Sequence, residues 1–145
     1  MQTNKNIIEL KISDFEVEHE EITYLLDLNP THIWIKGEEY LFGNKNQVKK
    51  TMEKNYWKYN STALSNAWIG EQLERFIEDI IVPRKDALKM IAARFHVELS
   101  IVQYLYDSCN PGLYFDKKVL KILSDCGLEL NIDLYVLTQD ENKGD

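Results

Sequence analysis

From Leu128 to Val136 the chain alternates without a break. Leu128, Leu130, Ile132, Leu134 and Val136 are apolar, and Glu129, Asn131, Asp133 and Tyr135 stand between them. A period of two belongs to a strand, whose successive side chains leave opposite faces. One buried and one wet face follow, so the run reads as an antiparallel-type strand. Near the start of the chain Ile8, Leu10 and Ile12 obey the same rule against Glu9, Lys11 and Ser13. There the phase slips, because Phe15 and Val17 take over the apolar positions, and a bulge or bend near Ser13 and Asp14 absorbs the slip. A third run, Val97, Leu99 and Ile101, continues into Tyr104 and Tyr106.

Helical spacing fills the intervals. Ile22, Leu25 and Leu26 mark a short helix stopped by Asn29-Pro30. Ile69, Leu73, Phe76, Ile77 and Ile80 make an apolar stripe suited to lie on a sheet. Pro83 fits the first turn of a second helix, whose inner face is Leu88, Ile91, Ala92 and Phe95. In a last helix Asp116 is the N-cap, Val119, Ile122, Leu123 and Cys126 face inward, and Gly127 suits the exit. Shorter strands are expected over 31–36, with Ile33 and Ile35 opposite Trp34, over 56–60, and over 113–115 after the turn Asn110-Pro111-Gly112. Residues 38–53 lack a period and read as a long loop or an irregular hairpin.

The resulting order, β-α-β-β-α-α-β-β-α-β, predicts an α+β fold. Its sheet is mixed and largely antiparallel with helices on one face, in ferredoxin-like topology with an added strand-helix-strand unit. A length of 145 residues suits one domain over 1–137, followed by a polar disordered tail over 138–145.

Charge is unevenly spread. Residues 9–39 hold nine acidic groups against Lys11 and Lys36, 2 − 9 = −7, whereas residues 44–60 hold five lysines against Glu53, 5 − 1 = +4. No apolar run approaches the roughly 20 residues of a membrane helix, and no apolar signal core opens the chain. Cys109 and Cys126 have neither metal-ligand nor redox spacing, and a cytoplasmic location is the default.

Several stretches together resemble a known family. They are Glu20-Glu21-Ile22-Thr23-Tyr24-Leu25-Leu26-Asp27-Leu28-Asn29-Pro30-Thr31 followed by Trp34 and Gly37, then Tyr56-Trp57, the helix pair broken at Pro83, and the ending from Pro111-Gly112-Leu113 to Asp133-Leu134-Tyr135-Val136. The sequence is similar, over nearly its whole length, to the bacterial family called "domain of unknown function 4279". The resemblance implies a small stand-alone protein, and for some members an immunity role against contact-delivered toxins. It carries over no catalytic residue, because none is assigned.

No motif supplies chemistry. His19, His32 and His96 are scattered, no glycine cluster can cradle a phosphate, and the carboxylate pairs Glu20-Glu21 and Glu38-Glu39 diverge on either a helix or a strand. Catalytic residues, metal ligands and cofactors are therefore not expected. Cys109, in a turn region, is the more reactive thiol of the two. Lysines and aromatics interleave from Lys49 to Tyr59, as in single-strand nucleic-acid binders, but a net charge of −7 argues against that partner.

A non-enzymatic protein-binding module remains, an immunity-type inhibitor whose acidic residues Glu18, Glu20 and Glu21 meet a basic toxin domain. The sheet face opposite Ile33 and Ile35 offers Trp34, Tyr104, Tyr106 and Tyr135 to a partner or to a second copy in a homodimer, unless the loop over 38–54 covers them. The alternative is a small-molecule-binding protein or unrecognised enzyme with a pocket on that aromatic face.

Overall fold

The structure, a computed structural model, describes residues 4–43, 45, 48–61, 67–106 and 110–138. Its strands are β1 (Lys5–Ser13), β2 (His32–Trp34), β3 (Glu39–Phe42), β4 (Val48–Thr51), β5 (Tyr56–Asn60), β6 (His96–Tyr106) and β7 (Glu129–Leu137). The helices are α1 (His19–Leu26), α2 (Ile69–Phe76), α3 (Lys85–Ala92) and α4 (Lys117–Asp125).

The expected α+β class is what forms. Five strands make a mixed sheet in the order β2-β5-β1-β6-β7, and β3 and β4 pair apart as a second, two-stranded sheet. Every contact among β2, β5, β1 and β6 is antiparallel. Two strand-helix-strand units therefore interleave, one from β1 through α1 to β2 and one from β5 through α2 and α3 to β6. The third unit, β6 through α4 to β7, adds its strand outside β6 and parallel to it.

That last pairing corrects the antiparallel reading of 128–136. Alternation reports which faces are wet, not chain direction. Direction is set by the helix crossover, which returns the chain to the same end of the sheet. The strand expected over 113–115 is also absent: Leu113 and Phe115 alternate because they pack on the core from an irregular connection. Nor does α1 run on to Asn29-Pro30, because Asp27 takes a left-handed conformation (φ 50°) and closes it. The phase slip after Ser13 is a turn at Asp14, also left-handed (φ 61°).

The core lies between one sheet face and the helices. Ile8, Leu10, Ile12, Trp57, Val97, Leu99 and Ile101 meet Ile22 and Leu26 of α1, Leu73 and Phe76 of α2, Leu88 and Ile91 of α3, and Leu123 of α4. Trp57 is wholly buried and its indole N–H donates to Thr23 Oγ1 at 3.0 Å, tying α1 to β5. Where β1 begins, the apolar core gives way to a buried amide set. Gln103 donates to Asn6 Oδ1 (3.1 Å), Gln72 donates to the Asn6 carbonyl (3.3 Å), and Asn6 Nδ2 donates to the Ala67 carbonyl (3.1 Å). These bonds fix the start of α2 on the sheet.

Between α2 and α3 the rod widens into a π-helical turn (Ile77–Ile81) and tightens into a 3-10 turn (Val82–Arg84) around Pro83. Proline lacks the N–H that the Asp79 carbonyl would otherwise accept. The Arg84 side chain supplies donors instead. Nη1 reaches the carbonyls of Ile80 (3.2 Å) and Asp79 (3.4 Å), while Nε and Nη2 reach those of Leu26 (2.8 Å) and Asp27 (3.2 Å) at the end of α1. One guanidinium thereby joins α1 to the bent rod.

At α4, Asp116 Oδ1 accepts from the Val119 N–H at 2.8 Å, as the capping pattern requires. Gly127 leaves the helix at φ 73°, where a Cβ would stand 2.7 Å from the Cβ of Ala92. Cys126 packs fully buried beside it, and burial raises its thiol pKa. Cys109 lies outside the described residues.

Candidate functional site

Register decides what stands on the sheet face away from the helices. His32, Lys58, Lys11, Glu98 and Glu129 are successive cross-strand neighbours, a row of titratable groups running through all five strands. The lysines stand on the β2 side of the row and the carboxylates toward the β7 edge. Lys11 Nζ lies 3.5 Å from Glu98 Oε2, and His96 Nε2 lies 3.9 Å from Glu98 Oε1 and 3.6 Å from Glu129 Oε2. Beside this row, Trp34 and Tyr56 meet edge to face with ring centres 5.4 Å apart. The Lys58 ammonium sits 3.6 Å above the Trp34 ring centre and 5.1 Å from that of Tyr56. Burial among these rings lowers the Lys58 pKa, against the upward pull of Glu9.

At the far end of the same face Tyr104 stacks on Tyr135, ring centres 5.3 Å apart and planes 16° from parallel. Tyr106 follows on that side by alternation. Trp34 stands in the row of Tyr56, Ser13 and His96, whereas Tyr104 stands eight residues further along β6 (104 − 96 = 8). At about 3.3 Å per residue the two ring pairs are offset by some 26 Å along the strands, with the charged row and Glu9 between them. The sequence thus foretold which face the rings share, and they form two separate patches on it. The stretch over 38–54, in its described residues (38–43, 45 and 48–54), leaves both patches open. It folds as the β3–β4 hairpin, anchored by backbone bonds between Gly37 N and the Met52 carbonyl (2.9 Å) and between Met52 N and the Glu38 carbonyl (2.8 Å). Trp34 keeps 40% and Tyr135 49% of its surface exposed.

Glu18, Glu20 and Glu21 lie elsewhere, in the first turn of α1 and the residue before it. All three are exposed, as is Glu16, and none has an ion-pair partner among the described residues. Carboxylates at a helix N-terminus are favoured by the unsatisfied N–H groups there. His19 holds this turn against β2. Its Nε2 lies 3.0 Å from the Trp34 carbonyl, an atom that only accepts, so Nε2 carries the hydrogen. Phe15 packs edge-on to the same imidazole at 5.0 Å. The acidic turn and Trp34 are therefore held side by side, while Tyr104, Tyr106 and Tyr135 belong to the opposite edge.

Four of the five lysines of the basic stretch have a partner within the chain. Lys49 pairs with Glu39 (3.7 Å), Lys50 lies over Phe42 (4.1 Å), Lys54 pairs with Asp14 (3.0 Å), and Lys58 lies over Trp34. The Lys54 pKa is raised by its bond to Asp14. The basic segment thus folds back on the acidic one, which long-range pairing alone could reveal.

A cavity of about 770 Å³ is on the helical side between α2 and α4. Ile69, Leu73, Ile77, Val119 and Ile122 line it, with Trp68 and Tyr114 at its rim. Among the described residues no three His, Cys, Asp or Glu side chains converge to hold a metal ion, and no helix is long and apolar enough to cross a membrane.

A mixed five-stranded sheet with helices on one face and charges and rings on the other defines a small α+β domain. The chain belongs to the family described as domain of unknown function (DUF4279), whose model matches residues 2–137. No curated protein and no solved structure matches it.

Proposed function

We propose that this protein is a non-enzymatic binding module for another protein, an immunity-type inhibitor that docks a basic toxin domain in the bacterial cytoplasm. The observation that carries the reading is the His19 bond to the Trp34 carbonyl. It sets unpaired carboxylates of the α1 N-terminus beside a half-exposed indole on a rigid sheet edge. Tyr24, 84% exposed on the same helix, extends the surface. Unpaired carboxylates steer a basic partner and speed its encounter, and a partly exposed tryptophan supplies the kind of anchor that dominates interface energy.

The test begins with tagged protein in its native host, comparing capture by the wild type with capture by a Glu18→Lys, Glu20→Lys, Glu21→Lys variant. A stoichiometric partner is expected on the wild type and not on the variant. With that partner purified, the variant should associate at least tenfold more slowly at low salt, and the difference should shrink as salt screens the charges. Trp34→Ala should act on the dissociation rate instead. Co-expression of the protein should relieve the partner's toxicity. Equal association rates for wild type and variant at low salt would sink the proposal.

The apolar cavity between α2 and α4 favours a second reading, a small-ligand-binding protein. Its volume falls in the range typical of ligand sites, and an apolar metabolite bound there would raise the melting temperature. A screen of such compounds without a shift, together with an unaltered response in Leu73→Ala, would remove it.

A further inference from the structure

The sheet has two edges, and they differ. β2 is three residues long, and the chain beyond it turns into the β3–β4 hairpin. β7 is nine residues long, and no strand lies outside it among the described residues. Long edge strands in stable monomers are blunted by inward charges, proline or bulges. β7 has no proline, its only charges are Glu129 and Asp133, and it pairs with β6 over its whole length without a bulge.

Its last third is apolar on both sides. Leu134 (53% exposed) and Val136 (66%) point to the helical side, and Tyr135 (49%) points to the open side. Their neighbours on β6 in the same rows, Gln103 and Leu105, are buried. Among the described residues, cover is therefore missing on the outer flank.

We propose that two copies of this chain join edge to edge through β7, antiparallel, about a two-fold axis at Leu134. Pairing about a residue keeps odd positions opposite odd and even opposite even, so the apolar faces of both copies stay on one side. An axis at Asp133 would set two carboxylates directly opposite each other, which is destabilising. An axis at Leu134 places Leu134 against the partner subunit's Leu134 and Ile132 against the partner subunit's Val136. Asp133 then faces the partner subunit's Tyr135, and Asn131 faces the partner subunit's Leu137. Carboxylates are separated, the exposed Leu134 and Val136 gain apolar neighbours, and Tyr135 gains the carboxylate of the partner subunit's Asp133. The contact is isologous and closes on itself, so it forms a dimer and not a filament. It also lies on the edge opposite Trp34 and α1, so the proposed inhibitor surface stays free and the two proposals fail independently.

Sedimentation of the full-length protein over a range of concentrations tests this. The wild type is expected at twice the chain mass, and Leu134→Lys at the mass of one chain with an unchanged circular dichroism spectrum and a melting temperature that no longer depends on concentration. In a Cys109→Ser background, oxidised Leu134→Cys should give a disulfide-linked dimer, because directly opposed Cβ atoms lie about 4.5–5.5 Å apart. Leu130→Cys should not, since it is carried far from its own copy across the axis. A single-chain mass at every concentration would overturn the proposal. So would a dimer that survives Leu134→Lys, or a disulfide through Leu130→Cys in place of Leu134→Cys. If Leu134→Lys instead abolished capture of a foreign protein by a monomeric wild type, the edge would belong to that protein's strand, and self-pairing would be wrong.

Discussion

Removing the Arg84 guanidinium should uncouple α1 from the bent rod of α2 and α3. The side chain donates to four carbonyls, two at the end of α1 and two beside Pro83. A hydrogen bond from a charged group contributes about 1.5–3 kcal/mol net. The 2.8 Å bond to the Leu26 carbonyl is part-buried and counts in full, as does a share of the 3.2 Å bond to Ile80. The bonds to Asp27 and Asp79 are exposed, and water replaces them at little cost. Arg84→Ala should therefore lose about 2–4 kcal/mol. At about 2–4 °C per kcal/mol for a chain of this size, the melting temperature falls by roughly 5–15 °C. Urea unfolding measures the loss directly, with the slope against denaturant unchanged if only stability moves. Arg84→Lys separates charge from geometry: an ammonium cannot span both helix ends as a planar fork does, so lysine should recover less than half. A loss below about 0.5 kcal/mol for alanine, or full recovery by lysine, would show that the four carbonyls do not depend on the fork.

Three further outcomes follow from single contacts. Gly127→Ala combines a left-handed φ with a Cβ 2.7 Å from that of Ala92, and should cost about 2–4 kcal/mol in urea unfolding, of which Ala92→Gly restores only the clash. Asp116→Ala removes the cap on Val119 N–H and should cost about 1 kcal/mol, whereas Asp116→Asn should cost much less. Lys58 is lowered by burial from the ordinary 10.5, so between its folded value and 10.5 the unfolded chain binds more protons. Stability of the wild type relative to Lys58→Met should accordingly rise with pH through that window, and a falling difference in urea midpoints would contradict the assignment.

The strands and helices were largely legible because each follows a local period. Ile8, Leu10 and Ile12, or Val119, Ile122 and Leu123, announce a buried face wherever the rest of the chain lies. Asp116 and Gly127 were readable for the same reason, as caps act within a turn. The direction of β7 was not, since it depends on a crossover and not on its own residues. Leu113 and Phe115 misled because packing from a loop can imitate alternation over three residues. The row from His32 to Glu129 draws on five strands whose members lie up to 118 positions apart (Lys11 to Glu129, 129 − 11 = 118), so no window of sequence displays it. Glu18, Glu20, Glu21 and Trp34 were singled out separately, and what the sequence withheld was His19, the group that holds them together.

The central place of β1 bears on how the chain emerges during synthesis. It is made first, yet its two neighbours are β5 and β6, and the second of these ends only at Tyr106. From Ser13 to Tyr106 the ribosome adds 93 residues (106 − 13 = 93), which at about 5–20 residues per second takes some 5–19 s. For that interval Ile8, Leu10 and Ile12 have at most one of their two flanking strands. A nascent chain halted before β6 should remain open to protease and to chaperones, and protection should arrive abruptly once Tyr106 has cleared the exit tunnel.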